Sequence, residues 1–562
     1  MNSKRVKNSI LFLGIFLSLV FAPGVFAATV GDTATFNVEQ KFEVFENSRV
    51  QAVLVRNTQN LYIYVEKGWW DAQVFAKQTE ILANLDFLAS EFNNNIYPTL
   101  TSVFGSEWRP GVDGDSKITV LFHAMKDGSA GYFRSADEYL KLQVPSSNER
   151  EMMYLSLSHI ENPRAKHFLA HEFTHLITFN QKDRLQGVTE DTWLNEARAD
   201  YAPTILGYDS VYEGSNLQKR VRDFLANPSD SITEWQENKY DYGVATVFMH
   251  YLVDHYGINM LSDSLQSKST GIASINEILA ANGYKETFAD IFTHWTIANI
   301  VNNCSGNTKY CYLSQNLQNL RVSPTLNFLP LTGNSSLSVT NVIKNWAGNW
   351  QKIIGGNGNL TLEFSGLPGV NFKVPYIIFD KNNNYTVKFL ALDKNQKGKI
   401  SIENFGEQYS SLIIIPLLQN KTAGFSSAEF TYPYTFKVSI SGQIQEEDSV
   451  LIQQLLNQIE SLKKQIATLQ ALQSGSSVSV SCAALTANLY VGVLNNAQVR
   501  CLQEFLTLQG ADIYPQGLVT GTFGSFTKAA AIRFQKKYSI LQTGFVGILT
   551  RTKINALLQT NG

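Results

Sequence analysis

Between residues 28 and about 75, apolar and polar positions alternate, as in "ATFNVEQKFEVF" and "LYIYVEKGWW". A period of two is what a half-buried strand requires, so this stretch predicts a β-rich N-terminal region. From about 76 to 320 the apolar spacing lengthens to three and four, beginning with "AKQTEILANLDFLASEF" and interrupted by the strand-like "KITVLFHAM" and "EMMYLSL". Helices mixed with strands in this way predict an α+β domain. The texture changes again over 321–445, where "LTLEFSG", "YTVKFLALD", "SLIIIPLL" and "YTFKVSISG" alternate between Asn- and Gly-rich turns. Short strands at such spacing predict a β-sandwich. Over 447–474, Ile452, Leu455, Ile459, Leu462, Ile466 and Leu469 step by three and four, drawing one apolar seam along a helix. That seam fits a coiled-coil-like spacer through which chains pair, or a single helical spacer. "SGSSVSVS" then reads as a flexible joint, with a last domain over 480–562.

A chain of 562 residues is far longer than one core supports, which agrees with this multidomain pattern. With 44% apolar residues, 34 Phe and 24 Tyr, it is globular rather than disordered. A formal charge of -2 gives no reason to expect nucleic acid as a partner. Lys4, Arg5 and Lys7 precede the apolar run "ILFLGIFLSLVFA", and Val25 and Ala27 supply small residues for cleavage. Residues 1–27 are thus expected to be a signal peptide, and no later run is long enough for a transmembrane segment once it is removed. The expected localisation is secreted and cell-wall associated. Export permits disulfides, and the four cysteines fall into two local pairs, Cys304 with Cys311 and Cys482 with Cys501.

The stretch "FLAHEFTHLITFNQ" places His171 and His175 four residues apart with Glu172 beside the first. On a helix the two imidazoles emerge on one face, one turn apart, and can address a single Zn²⁺. Glu172 would then lie beside the metal, where a general base belongs. Phe168, Leu169, Phe173, Leu176 and Ile177 predict that this helix is buried, where unpaired imidazoles are unfavourable. A third ligand on the same helix, in the pattern HExxHxxGxxH, is excluded because Thr178 and Gln181 occupy the Gly and last His positions. Downstream, "WLNEARADYA" carries Glu196 and Asp200 one helical turn apart. Glu196 can complete a two-His, one-carboxylate site, with Asp200 steadying a ligand imidazole through its other nitrogen.

HEFTH followed about twenty residues later by NEARAD resembles the gluzincin metallopeptidases, and among them the hyicolysin-type secreted bacterial enzymes. The resemblance covers about residues 40 to 320. It implies a zincin-like fold with His171, His175 and Glu196 as zinc ligands, Glu172 as base and Asp200 behind the ligands. It also implies a phenolic donor for the oxyanion. In "NKYDYGVATVFMHYLVDHYG", Tyr240 with Gly243 is similar to a Tyr-x-x-Gly that opens a helix in gluzincin aminopeptidases, and Tyr242 is the adjacent competitor. His167, His250 and His255 are expected to pack rather than react. Over "DGSAGYFRSADEY" and "MMYLSLSH" an edge strand is expected, on which a peptide could lie.

From Ala487 onward the chain resembles the small three-helix peptidoglycan-binding domain. Leu502, Gln503, Leu506, Gly521, Phe523, Gly524, Thr527, Ala530, Phe534, Gln535, Thr543, Gly544, Val546, Gly547 and Thr550 carry the likeness. Together the two resemblances imply an exported zinc metalloendopeptidase acting on protein or peptide and retained on peptidoglycan. Two rival expectations are a non-catalytic wall-binding or adhesion protein with a degenerate peptidase fold, and a wall hydrolase that cuts cross-link peptides.

Overall fold

The computed structural model describes residues 28–331, 333–425, 428–441 and 484–560. The expected signal peptide, the 447–474 spacer and Cys482 lie outside the described residues. The chain divides into two compact units, residues 1–444 and 445–562.

The first unit is organised by a six-stranded sheet of β1 (Thr33–Asn37), β2 (Arg49–Asn57), β3 (Leu61–Glu66), β4 (Ile118–His123), β5 (Gly131–Phe133) and β6 (Met152–Ser156). The spatial order is β1-β2-β3-β4-β6-β5; β3, β4 and β6 run parallel, and the outer pairs are antiparallel. Residues 28–75 are therefore no separate region, contrary to the boundary read from the sequence. Their strands complete the sheet because β3 pairs with β4, more than fifty positions further on.

Alternation along β3 serves two cores. Leu61, Ile63 and Val65 face the helices, whereas Tyr62 and Tyr64 join Phe36, Leu54, Leu121, Tyr132 and Tyr154 on the opposite face. That second layer is aromatic and tightly stacked, with the Tyr132 and Tyr154 rings 4.3 Å apart.

On the helical side lie α1 (Lys67–Asp71), α2 (Phe75–Glu91), α3 (Tyr97–Phe104), α4 (Ala165–Thr178) and α5 (Thr192–Ile205). They are followed by α6 (Asn216–Ala226), α7 (Lys239–Tyr256), α8 (Asn259–Gln266), α9 (Gly271–Ala281) and α10 (Phe288–Val301). The helix α4 is anchored by Phe173, whose ring packs 5.0 Å from Phe92 and 5.5 Å from Tyr97. Past its end the buried ammonium of Lys182 donates to the carbonyls of Ser264, Ser267 and Ser269 at 2.7, 2.6 and 2.5 Å. A Cβ at Gly243 would meet the Phe224 backbone nitrogen at 2.5 Å, so this glycine lets α7 lie directly against α6. Cys304 and Cys311 are joined in a disulfide.

Strands β7 (Thr325–Leu329) to β17 (Tyr432–Ser441) form the β-rich remainder of the first unit. β8 (Ser335–Ile343), β17, β10 (Gly358–Gly366) and β14 (Lys397–Phe405) make one half. The other half contains β7, β9 (Gln351–Gly355), β15 (Tyr409–Ile414), β12 (Pro375–Asp380) and β13 (Tyr385–Phe389). A single residue pair, Phe405 with Tyr409, links β14 to β15. Leu362, Phe364 and Val438 from one half share a core with Ile353, Leu412 and Ile414 from the other. This sandwich is not independent of the helices. Trp346, Trp350, Ile413 and Leu417 belong to the helical core, and the Trp350 indole donates to Thr296 O at 2.8 Å.

The second unit is a small helical domain of α11 (Ala497–Leu508), α12 (Ser525–Lys537) and α13 (Ile548–Thr560), tied by a bridge between Leu489 and Val546. Its Cys501 is disulfide-bonded.

Candidate metal centre

The helix α4 carries His171, Glu172 and His175, and α5 crosses it to bring Glu196 and Asp200 into the same place. His171 Nε2 lies 3.1 Å from His175 Nε2, and Glu196 Oε2 lies 3.2 and 3.6 Å from those two nitrogens. Among the described residues, these three side chains are the group of potential metal ligands whose donor atoms converge, all within 4.8 Å.

The opposite ring nitrogens are already engaged. His175 Nδ1 is 3.1 Å from Asn195 Oδ1, an amide oxygen that can only accept, so Nδ1 carries the hydrogen. His171 Nδ1 is 3.2 Å from Asp200 Oδ1. With both Nδ1 atoms donating, the Nε2 lone pairs point at each other and at a carboxylate. Glu196 Oε2 is buried with no hydrogen aimed at it, despite its short distances to the imidazoles. Three electron-rich atoms facing one another are unfavourable unless a cation sits between them, and a two-nitrogen, one-carboxylate set is chemistry that zinc accepts. The residues fit the ion.

Electrostatics follow from burial and these contacts. Burial lowers the His171 pKa, but the Asp200 and Glu196 carboxylates, aided by Glu172, outweigh it and raise it to about 10, so this acidic pocket favours a positive charge between the ligand atoms, whether a proton on the imidazole or a metal cation in its place. Burial alone would raise Asp200, yet the Arg220 guanidinium and His171 hold it well below the usual carboxylate range. Asp200 is braced further by Arg220 Nη2 at 3.0 Å and Thr246 Oγ1 at 2.9 Å. Burial pushes the Glu172 carboxyl up, with His171 and His175 opposing it.

A cleft of about 710 Å³ opens over this centre, lined by His171, Glu172, His175, Glu196, Asp200 and Tyr242. Its wall includes residues 128–136, among them the edge strand β5. The Cβ of an alanine at 131 would fall 3.2 Å from Glu172 Cγ and 2.7 Å from Tyr154 O, so Gly131 lets the strand approach the acid.

Of the two tyrosines, Tyr242 is the one that reaches the centre. Its ring lies 6.5 Å from that of His171, edge-on to Trp235 at 4.9 Å and beneath the Arg220 guanidinium at 4.4 Å. Tyr240 lies outside the cleft lining, with the Lys239 ammonium 5.1 Å from its ring. The reason is the start of α7. Asn238 caps it, accepting from Tyr240 N at 2.8 Å, while Asp241 accepts from Asn238 N at 2.9 Å. That capping box fixes the rotational phase of the first turn and aims position 242 at the site. Burial, then the Glu196 and Asp200 charges, push the Tyr242 phenol up, so it keeps its hydrogen.

The other histidines have different surroundings. His250 is buried, its ring tilted against that of Tyr201 at 4.7 Å, and burial lowers its pKa to about 4. His255 Nε2 lies 2.9 Å from Cys311 O. His167 lines the cleft, packed 4.8 Å from Tyr208, and burial likewise lowers it to about 4. Sequence reasoning missed Asn195, Arg220 and Thr246. Asn195 could have been found as the neighbour of Glu196; nothing in the local text points to the other two.

The family model described as "Putative peptidoglycan binding domain" matches residues 495–554. The C-terminal unit thus carries a peptidoglycan-binding domain, which supports association with the cell wall. No curated protein matches the chain. Among solved structures, the chain is similar to the Yersinia pseudotuberculosis-derived mitogen at 12% identity over 20% of this chain and 92% of that one, with a TM-score of 0.15. It is also similar to the pre-peptidase C-terminal domain of collagenase from Bacillus anthracis, at 8% identity over 21% of this chain and 96% of that one, TM-score 0.14. Aeromonas hydrophila PliG, a periplasmic inhibitor of g-type lysozyme, matches at 11% identity over 21% and 98%, TM-score 0.15. Among the described residues, no helix is long and apolar enough to cross a membrane.

Proposed function

We propose that the protein is an exported zinc metallopeptidase that hydrolyses peptide bonds in protein or peptide substrates while held on peptidoglycan by its C-terminal domain. The observation that carries this reading is the convergence of His171 Nε2, His175 Nε2 and Glu196 Oε2 within 4.8 Å, beside a buried Glu172. These three residues would hold the ion, and Asp200 and Asn195 would fix the two imidazoles in the ligating tautomer. A zinc ion bound by these residues would supply Lewis acidity toward a water and the scissile carbonyl.

The chain's own groups do the rest. Glu172 is largely buried and lines the same cleft as the ligands. From that position it would accept a proton from the attacking water and return it to the leaving nitrogen. Tyr242 would donate a hydrogen bond to the oxygen that gains charge. The non-catalytic reading is disfavoured because base, ligands and their supporting partners are all present, whereas a decayed site has no reason to retain them together.

Replacing Glu172 by Gln tests this directly. The variant is expected to bind one zinc per chain and to leave casein intact, with wild-type hydrolysis abolished by a chelator and restored by zinc. Casein cleavage by purified Glu172→Gln at the wild-type rate would remove the assignment.

A further inference from the structure

In the peptidoglycan-binding domain, most of the residues that carry the family likeness are consumed by the fold. Leu502, Leu506, Phe523, Phe534 and Val546 are buried. Gln503 is buried too, its amide nitrogen donating to Thr522 O at 3.0 Å and Thr527 Oγ1 at 2.9 Å, its oxygen accepting from Gly521 N at 2.8 Å. Gln535 repeats the device one helix later, with Phe545 O at 2.9 Å, Thr550 Oγ1 at 3.0 Å and Gly544 N at 2.8 Å. Each glutamine ties a turn to the start of the next helix. None of these seven side chains is left to meet a polymer, so contact with the wall falls to exposed residues.

Two exposed aromatic rings stand out. Tyr490 and Phe545 are 53% and 43% exposed, yet they lie side by side, 6.1 Å apart and within 24° of parallel. Their placement is built into the backbone. Leu489 N donates to Val546 O at 3.2 Å and Val546 N to Leu489 O at 2.9 Å, pinning two loops together. Leu489 and Val546 turn into the core, and by the alternation of extended chain their neighbours 490 and 545 turn out. Gly547 completes the arrangement, because a Cβ there would meet Phe545 Cε1 at 2.7 Å and push the ring off its seat. Exposed, ordered apolar surface on a small domain is unfavourable in water and marks a contact site.

The chemistry of the surface selects among the parts of peptidoglycan. A pair of nearly coplanar rings offers a flat, uncharged face suited to the C–H faces of sugar rings. The stem peptide, with its carboxylates and amines, needs charged partners that these rings do not provide. We infer that Tyr490 and Phe545 form a platform on which the glycan strand stacks, and that the domain reads sugar rather than stem peptide.

The test uses the full-length chain in co-sedimentation with purified sacculi. The paired substitution Tyr490→Leu with Phe545→Leu keeps apolar bulk and removes the π faces. It is expected to weaken binding about tenfold, the size of effect that loss of a central aromatic contact produces, with an unchanged circular dichroism spectrum. A second arm needs no variant: wild-type protein is expected to bind sacculi stripped of stem peptides by an amidase, and soluble glycan fragments are expected to compete. Undiminished binding by the Leu pair would overturn the platform. Loss of binding on stripped glycan, or competition by free stem peptide alone, would overturn the choice of sugar.

Discussion

Asp200 Oδ1 stands 3.2 Å from His171 Nδ1 and accepts from Arg220 Nη2 at 3.0 Å, so one carboxylate couples a candidate metal ligand on α4 to a cation on α6. Because Asp200 is buried, its charge acts through little intervening solvent. Substituting Asp200→Asn keeps the shape and removes the charge that orients the imidazole. Zinc affinity is expected to fall about 10- to 100-fold, read by competition with a chromophoric chelator. Unaltered affinity would mean that Asp200 does not support the ligand.

The position of Tyr242 beside His171, with Tyr240 outside the cleft, separates two otherwise similar residues. Tyr242→Phe is expected to lower kcat about 100-fold or more with little change in KM, as loss of a single oxyanion donor does. Tyr240→Phe is expected to leave kcat within about twofold, by the same comparison. Steady-state kinetics on one fluorogenic peptide decide the matter, and a reversed pattern assigns the donor to Tyr240.

Gly131 is the point where the edge strand touches the acid. In Gly131→Ala the new methyl group meets Tyr154 O at 2.7 Å and Leu155 Cδ2 at 2.8 Å, so the backbone of β6 would have to shift. Overpacking of this kind costs about 1–3 kcal/mol. Urea unfolding is expected to show that loss, accompanied by reduced turnover with zinc still bound. A stable and fully active variant would show that the edge strand moves freely.

Lys182 is buried, and three carbonyl oxygens converge on its ammonium. Lys182→Met retains the stem and strands those acceptors, each of which loses a charge-assisted partner. A destabilisation of about 3 kcal/mol or more is expected from the penalty for buried unsatisfied groups. The denaturation midpoint measures it, and a shift near zero would show that water replaces the ammonium.

Legibility in the sequence followed the range of the interactions. The period of two in "LYIYV" announced a strand, because side-chain alternation is local. That this strand sits at the centre of a sheet, with both of its faces buried, depends on β4, and no local pattern states it. His171, Glu172 and His175 could be grouped from spacing alone because one helical turn brings them together. Cys304 and Cys311 could be paired because only seven positions separate them.

Tyr242 was harder, because a helix rotates about 100° per residue and a shift in its starting point exchanges one side chain for another. The Asn238–Asp241 capping box sets that starting point. Arg220 was out of reach altogether. Its role comes from the packing of α6 against α7, through the close approach at Gly243, and from its contact with the Asp200 carboxylate on α5.

By itself, then, the sequence determined which residues share a helix face, which strands alternate and where the C-terminal domain lies, since each depends on neighbours a few positions away. Only the tertiary structure decided which tyrosine faces the histidines, which groups brace them, that residues 28–75 complete the central sheet, and which rings the C-terminal domain leaves exposed. Those outcomes depend on side chains distant in the chain being driven together by burial, and on the hydrogen bonds that burial then obliges them to make.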